Sequence, residues 1–214
     1  MAEFTVLGTA EEVAKAAADQ IAGALGAGSR SLVLAGGTTP RRCYEILAGL
    51  DVGWGRVAVL FGDERCVAPE HPESNYRMAR ESLLERVAPA TVYRIPAELG
   101  PDDGAREYAR VVDSVMPLDF VLLGVGEDGH VASLFPGHRA LDATGLTAGI
   151  HDSPKPPPER VTLTLEAIRG ARQVLILATG SGKADAVAQA RRGEVPSGMI
   201  ASARWLIDRP AAGQ

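Results

Sequence analysis

Apolar residues follow two alternating patterns along the chain. Near the amino terminus an apolar residue recurs every four positions, which predicts one buried face of a helix. The recurring residues are Val13, Ala17, Ile21 and Leu25. Other segments are apolar almost without interruption, as expected for strands buried on both faces of a parallel sheet. These segments are residues 31–35, 56–61, 118–123 and 173–178.

Weaker patterns complete an alternation of strands and helices. Thr9 and Glu12 form a capping box at the start of the first helix, and Pro40 suits the first turn of the second. Strict alternation requires crossover connections, so we expect a single α/β domain over residues 1–214, with a mostly parallel sheet and helices on both faces. The further strands are predicted at 3–7, 91–95, 161–165 and 203–207, and the further helices at 39–50, 75–86, 102–115 and 181–192.

Composition and charge narrow the class of protein. Hydrophobic residues make up 46% of the 214 residues, which is ordinary globular composition and excludes disorder as the main state. The net charge of −5 argues against general nucleic-acid binding. The acidic amino terminus does not resemble a signal peptide, and no apolar run reaches the ~18 residues of a membrane span. We therefore expect a cytoplasmic protein with Cys43 and Cys66 as free thiols.

The residues after the first apolar segment outline a phosphate site. In open parallel sheets, ligands bind at the carboxyl ends of the strands. Gly36 and Gly37 allow close backbone approach there, and Thr38 and Thr39 add hydroxyls at a helix start. The segment matches neither the dinucleotide fingerprint nor the P-loop, and a plain tight turn remains an equal explanation.

Polar residues also follow the segment 56–61. Asp63, Glu64 and Arg65 come directly after it, and a loop then leads to Asn75. These residues form either a solvated loop or a polar rim in which the planar fork of Arg65 meets a phosphate or carboxylate.

The most informative segment follows residues 118–123. It contains four glycines and a histidine, His130, two residues after the carboxylate of Asp128. Imidazole titrates near neutrality and can take a proton from water, while an adjacent carboxylate holds the ring. Because of this setting we interpret His130 as catalytic. The other histidines lack it and are predicted to lie at the surface: His71, His138 and His151.

Further cationic groups suit an anion. Lys183 lies at the start of the last predicted helix, and Arg160 and Thr162 flank the weaker strand at 161–165. No cluster of histidine and cysteine supports a zinc site, although magnesium bridging a phosphate stays open. The residues alone therefore predict an enzyme that acts on a small phosphorylated metabolite by proton transfer or water activation.

These segments resemble the 6-phosphogluconolactonases, within the family they share with glucosamine-6-phosphate isomerases. The similarity runs in order along nearly the whole chain, and its most specific part is GEDGHVASLFPG. Where the family pattern has Ser-Gly-Gly-Ser-Thr-Pro, this chain has Ala35 and Thr38 in place of the two serines. The matching segments are LAGGTTP, WGRVAVLFGDER, ESNYRMARESLL, LDFVLLGVGEDGHVASLFPG, PPPERVTLTLEAI and TGSGKADAV.

The related deaminases differ at two positions of this pattern. In this chain Phe135 replaces a deaminase glutamate and Arg65 replaces a tyrosine. Ring-opening isomerisation needs additional acid and base groups, so the loss of the glutamate favours the lactonases.

The resemblance implies a modified Rossmann-like fold and hydrolysis of 6-phospho-D-glucono-1,5-lactone to 6-phosphogluconate, without a cofactor. It implies that His130 is the general base, that Asp128 positions it, and that Arg65 steadies the oxyanion or sugar hydroxyls. The phosphate would be held by Gly37, Thr38, Thr39, Arg160 and Lys183, with further substrate contacts from Gly36, Asp63, Asn75 and Thr162.

Two other functions are weighed against this one. A sugar-phosphate deaminase or isomerase is disfavoured by Phe135, and a non-catalytic sugar-phosphate sensor by the intact pair of Asp128 and His130. The sequence does not indicate an oligomeric partner.

Overall fold

The computed structural model describes residues 2–214. Ten strands in this range form a seven-stranded parallel sheet and a three-stranded antiparallel sheet. They are β1 (Glu3–Leu7), β2 (Ser31–Leu34), β3 (Ala58–Phe61), β4 (Asp63–Arg65), β5 (Thr91–Val92), β6 (Phe120–Gly124), β7 (Thr147–Ile150), β8 (Arg160–Leu163), β9 (Gln173–Ala178) and β10 (Arg204–Asp208). The large sheet has the order β1-β10-β9-β6-β2-β3-β5, and the small sheet has the order β4-β8-β7.

Helices alternate with the strands of the large sheet, as predicted, whereas β3 and β4, and β7 and β8, follow each other without a helix. The first two helices pack against each other, and the third continues as a π-helical turn over Arg80–Leu84. Within residues 2–214, no helix has the length and apolar character needed to cross a membrane. The helices are α1 (Ala10–Gly26), α2 (Thr38–Leu47), α3 (Asn75–Ala79), α4 (Pro101–Val115), α5 (Leu165–Arg169) and α6 (Ala184–Arg191).

The start and the buried face of α1 confirm the sequence pattern. Thr9 Oγ1 accepts from the amide of Glu12, and the Glu12 carboxylate accepts from the amide of Thr9, at 3.2 Å each. The four recurring apolar residues of this helix are all buried. The predicted thiols are also confirmed, because Cys43 is buried, Cys66 is partly buried, and both are free.

The small sheet departs from the predicted architecture. The pattern does not predict β4 or β7, and it assigns residues 161–165 to a strand without showing that β8 leaves the parallel sheet. The charged run of β4 lacks the alternation of a strand, yet Asp63 and Glu64 are buried. The solvated-loop interpretation of this run is therefore wrong, because β8 pairs antiparallel with it and both carboxylates find hydrogen-bond donors.

Helix α4 packs against the small sheet at close range. A Cβ atom at Gly149 in β7 would lie 2.8 Å from the carbonyl of Pro101, and one at Gly104 would lie 3.0 Å from Val161 in β8. Glycine at these positions lets the helix and the small sheet approach closely.

Two buried tyrosines fasten the ends of adjacent strands. The hydroxyl of Tyr44 accepts from the amide of Ala35 at 2.8 Å and donates to its carbonyl at 2.9 Å, just after β2. The hydroxyl of Tyr108 makes the same pair of bonds with Phe61, at 2.8 Å and 2.9 Å, at the end of β3. These bonds satisfy backbone groups where the sheet hydrogen bonds end, and they fix the points at which the loops toward the cavity begin.

We expect Tyr44→Phe to lower the free energy of unfolding by about 1–3 kcal/mol, because it leaves the buried amide and carbonyl of Ala35 without a partner. Urea denaturation measures the change. Tyr93→Phe is the control, since no hydrogen bond of its hydroxyl is found among residues 2–214. Equal stabilities of Tyr44→Phe and the control would contradict the role of this hydroxyl.

Candidate active site

One cavity of about 310 Å³ lies at the carboxyl ends of β2, β3, β6 and β9. This is the place predicted from the rule for parallel sheets. Most of the predicted site residues line this cavity, whereas Asp128 and Thr162 are not part of its lining. Those in the lining are Gly36, Gly37, Thr38, Thr39, Asp63, Arg65, Asn75, His130, Arg160 and Lys183.

The cavity carries excess positive charge although the whole chain is acidic. Among the described residues, its charged lining consists of four cationic side chains and the carboxylate of Asp63. A concave site with this balance favours an anionic ligand, because field lines from its cations converge in a region from which water is partly excluded. The four cations are Arg65, Lys155, Arg160 and Lys183.

The start of α2 forms one wall. Gly37 is its N-cap and has φ 107°, a left-handed conformation that favours glycine. Its neighbour Gly36 has no room for a side chain, because a Cβ atom there would lie 2.2 Å from Oδ1 of Asn75. No side chain of the described residues caps this helix, so the first-turn amides and the hydroxyl of Thr38 remain available to an anion.

Strand β4 forms the next wall. Asp63 accepts from Ser133 Oγ at 2.7 Å and from Asn75 Nδ2 at 3.1 Å. Arg65 donates through Nη1 to the carbonyl of Glu73 at 2.6 Å. Its Nε is buried and finds no acceptor among the described residues, while the side chain as a whole lines the cavity.

Glu64, to which the sequence analysis gave no role, holds Asn75 in place. Its carboxylate accepts from Ser74 Oγ at 3.0 Å and from the amides of Arg65, Asn75 and Tyr76 at 2.8 Å each. Burial raises the pKa of Glu64, and the three amides act in the opposite direction. Its position three residues after a buried strand offered no signal for this role, because most of the donors come from residues ten or more positions later.

Tight turns aim the imidazole of His130. The amide of Gly129 donates to the carbonyl of Gly126, and the amide of Gly126 donates to that of His130, at 3.0 Å and 2.9 Å. A Cβ atom at Gly126 would lie 2.0 Å from His130 Nδ1, so this position must be glycine for the ring to keep its place. Ala132, which lines the cavity, has φ 49° and stores backbone strain next to this ring.

The pair predicted from the sequence is formed in the structure. Nδ1 of His130 lies 2.5 Å from Oδ1 of Asp128, which leaves Nε2 as the free ring nitrogen. The His130 side chain is 16% exposed, and its ring lies 4.5 Å from that of Phe135. Burial lowers the pKa of His130, although the charge and hydrogen bond of Asp128 act the other way. The ring is therefore neutral at pH 7 and able to accept a proton.

Asp128 is ionised beside this ring. Burial opposes its ionisation, but the attraction and hydrogen bonds of His130, with the charge of Lys155, hold the pKa of Asp128 below its usual range. A carboxylate on Nδ1 places the proton of the neutral ring on that nitrogen, so Nε2 is the basic one.

Arg160 and Thr162 do less at the ligand than expected. Arg160 is 3% exposed. It donates to the carbonyls of Lys155, Pro156 and Pro157 at 2.9–3.1 Å, so most of its donors are occupied by protein. Thr162 is fully buried, and its hydroxyl accepts from the amide of Ser133 and donates to the carbonyl of Leu163. The expected substrate contact of Thr162 is corrected to a supporting contact beneath the His130 loop.

The loop after β9 supplies Lys183. This side chain is half-buried, and burial lowers its pKa. Thr179 in the same loop shares a 2.7 Å hydrogen bond with Thr39, which ties the loop to the start of α2. The sequence analysis missed Thr179 and also Lys155, which lies in the Pro-rich loop before β8.

The three remaining histidines lie outside the lining of this cavity. His71 and His151 are exposed, as predicted. The surface prediction for His138 is wrong, because its side chain is only 10% exposed. It accepts from the amide of Ala140 at 3.1 Å and contacts Asp152 at 2.8 Å, so it closes a local turn.

No group of three or more metal-ligating side chains is found within the described range. The acidic residues near the cavity are instead engaged by hydrogen-bond donors, as Asp63 is by Ser133 and Asn75.

The fold and the cationic cavity define a class of α/β proteins suited to small anionic ligands at the strand ends of the sheet. Comparison with known proteins makes the class specific. Residues 6–207 match the family described as glucosamine-6-phosphate isomerases/6-phosphogluconolactonase. The chain therefore belongs to this family.

Individual relatives agree with the family match. A 6-phosphogluconolactonase of Streptomyces coelicolor is 40% identical over 215 residues, covering 87% of this chain and 82% of its own. The crystal structure of a 6-phosphogluconolactonase of Thermotoga maritima matches with a TM-score of 0.89 at 25% identity, covering 98% of this chain and 100% of that one. A monomeric glucosamine-6-phosphate deaminase matches with a TM-score of 0.84 at 22% identity, covering 99% of each chain, and shows the fold alone.

We expect the pKa of His130, measured by NMR titration of its imidazole, to lie below the ~6.5 of a free histidine side chain. In Asp128→Asn it falls further, because the carboxylate that favours the charged imidazole is gone. His130→Ala identifies the signal by its loss. A higher pKa in Asp128→Asn than in the unaltered protein would contradict the electrostatic role of Asp128.

Proposed function

We propose that this protein hydrolyses 6-phospho-D-glucono-1,5-lactone to 6-phosphogluconate, with His130 as the general base. The observation that carries the proposal is the neutral, carboxylate-held imidazole facing a cavity with four cations. The matched 6-phosphogluconolactonases support the substrate.

The proposed reaction begins with a proton transfer from water. Nε2 of His130 takes the proton while the water oxygen bonds to C1 of the lactone. The carbonyl electrons move to oxygen and give a tetrahedral oxyanion. When this collapses, the bond between C1 and the ring oxygen breaks, and the imidazolium returns its proton to that oxygen. The products are a carboxylic acid, which ionises, and a hydroxyl, so the atoms balance without a cofactor.

Each side chain of the cavity has a distinct part in this proposal. Asp128 is a positioning residue, because it fixes the tautomer and the orientation of His130. Arg65, which lines the cavity, offers its guanidinium group to the oxyanion or to a sugar hydroxyl. The phosphate lies against Lys183 and the first turn of α2, at Thr38 and Thr39. Anchoring the phosphate holds the lactone carbonyl near the base.

The surroundings of Phe135 argue against a deaminase. Phe135 is buried, and its ring lies against His130. The position at which the deaminase pattern has a glutamate therefore offers no proton to an open-chain sugar. Release of ammonia from glucosamine 6-phosphate, with no acceleration of lactone hydrolysis, would favour that alternative.

We expect His130→Ala to lower kcat by at least about 100-fold, since general-base catalysis contributes roughly 10²–10⁴ in rate. The lactone is generated enzymatically, the acid is trapped by its dehydrogenase, and the rate above spontaneous hydrolysis is measured. His151→Ala removes an exposed histidine and is the control, with unchanged turnover expected. Near-normal turnover by a folded His130→Ala protein refutes the base assignment.

We expect Lys183→Ala to raise KM by roughly 10- to 100-fold with a smaller change in kcat, because a hydrogen bond to a charged group contributes about 1.5–3 kcal/mol. The same coupled assay gives both constants. Lys15→Ala removes an equal charge from the exposed side of α1 and should leave KM unchanged. An unaltered KM in Lys183→Ala would remove Lys183 from the phosphate site.

A further inference from the structure

Lys155 and His130 share one carboxylate oxygen. Nζ of Lys155 lies 3.9 Å from Oδ1 of Asp128, and the same oxygen lies 2.5 Å from Nδ1 of His130. Lys155 also lines the cavity, and its side chain is 42% exposed. Among the cations of the described residues, Lys155 is therefore the one that both lines the cavity and forms an ion pair with Asp128.

The backbone of Lys155 is fixed, while its side chain is free to turn. Ser153 Oγ donates to the carbonyl of Lys155 and accepts from its amide, at 2.7 Å and 3.2 Å. Arg160 donates to the carbonyls of Lys155, Pro156 and Pro157 from beneath. A flexible four-carbon stem on a rigid loop lets the ammonium move between Asp128 and the cavity without moving the chain.

The charged neighbours of His130 act on its pKa in opposite directions. Asp128 and Asp63 favour the charged imidazole, whereas Lys155 disfavours it. On the cavity side Lys155 faces a second cation, Lys183, whose own neighbours include Glu127. Two ammonium groups that repel each other across a cavity are both stabilised when a phosphate dianion lies between them.

We propose that Lys155 is a positioning residue that links a bound phosphate to the base through the carboxylate of Asp128. The inference rests on the proposed function. In the free protein the ammonium of Lys155 shares Asp128 with His130. When a phosphate enters, it attracts that ammonium, so the carboxylate then acts on His130 alone. Phosphate binding at one end of the cavity thereby makes the imidazole at the other end a stronger base.

This coupling would favour phosphorylated substrates in the chemical step as well as in binding. A lactone without a phosphate leaves Lys155 on Asp128 and meets a weaker base. A phosphate contact that acted only as an anchor would change KM and leave the pH dependence of the base untouched.

The test is an NMR titration of the His130 imidazole in the unaltered protein, Lys155→Met and Lys15→Met, with and without saturating 6-phosphogluconate. Without ligand, the pKa of His130 should be higher in Lys155→Met than in the other two proteins. With ligand, the upward shift should be at least about twice as large in the unaltered protein and Lys15→Met as in Lys155→Met, because the phosphate's own field acts in all three.

The outcomes separate the inference from the proposed function. An unchanged pKa in ligand-free Lys155→Met, or equal upward shifts in all three proteins, overturns the role of Lys155 and leaves lactone hydrolysis standing. Failure of the unaltered protein to bind 6-phosphogluconate, together with no lactone hydrolysis, counts against the proposed function itself. If Lys155→Met no longer binds 6-phosphogluconate, the pKa of His130 in the ligand-free proteins still tests the role of Lys155.

Discussion

The hydrogen bond between Asp128 and His130 governs what the cavity can do. At 2.5 Å it fixes the ring, assigns the proton to Nδ1 and leaves Nε2 toward the ligand space. The glycine at position 126 exists for this contact, because any side chain there would collide with the imidazole. The strained backbone of Ala132 lies only two residues after this ring. The local backbone is thus built around one ring, and the parallel sheet supplies the edge on which it stands.

Burial and charge act in opposite directions on that ring, and their balance suits a base. Burial keeps the imidazole neutral, and the carboxylate limits how far its basicity falls. The surrounding cations would repel an imidazolium, so they favour the same neutral state until an anion neutralises them. In the proposed mechanism, a bound phosphate and a basic imidazole in one small cavity therefore favour each other.

Periodicity predicted the parallel sheet, its order of strands and helices along the chain, and the edge at which the chemistry lies. It predicted these because buried parallel strands and amphipathic helices leave local signals, as in β2 and α1. It failed for β4, where the carboxylates of Asp63 and Glu64 are buried by partners that are mostly distant in sequence. Glu64 needs amides from residues 75 and 76, and Arg65 pairs with Arg160 across the sheet.

The site residues divide in the same way. His130 and Asp128 are two residues apart and framed by glycines, so the sequence alone predicts that they pair. The placement of Lys155 depends on Arg160, whose donors are spent on three carbonyls of its own loop. The inward turn of His138 depends on Asp152. Hydrophobic periodicity does not predict such contacts, because polar side chains in or beside loops make them.

The close packing of α4 on the small sheet, at Gly104 and Gly149, has a consequence for the shape of the cavity. His130 and Lys183 follow strands of the large sheet, while Arg65 and Arg160 lie on strands of the small one. The cavity thus spans two sheets, so a shift of the small sheet would move Arg65 and Arg160 relative to His130 and Lys183. Gly104 and Gly149 lie where α4 packs closely on that sheet, and neither lines the cavity. The spacing of the groups that meet a ligand therefore depends on packing between residues that never touch it.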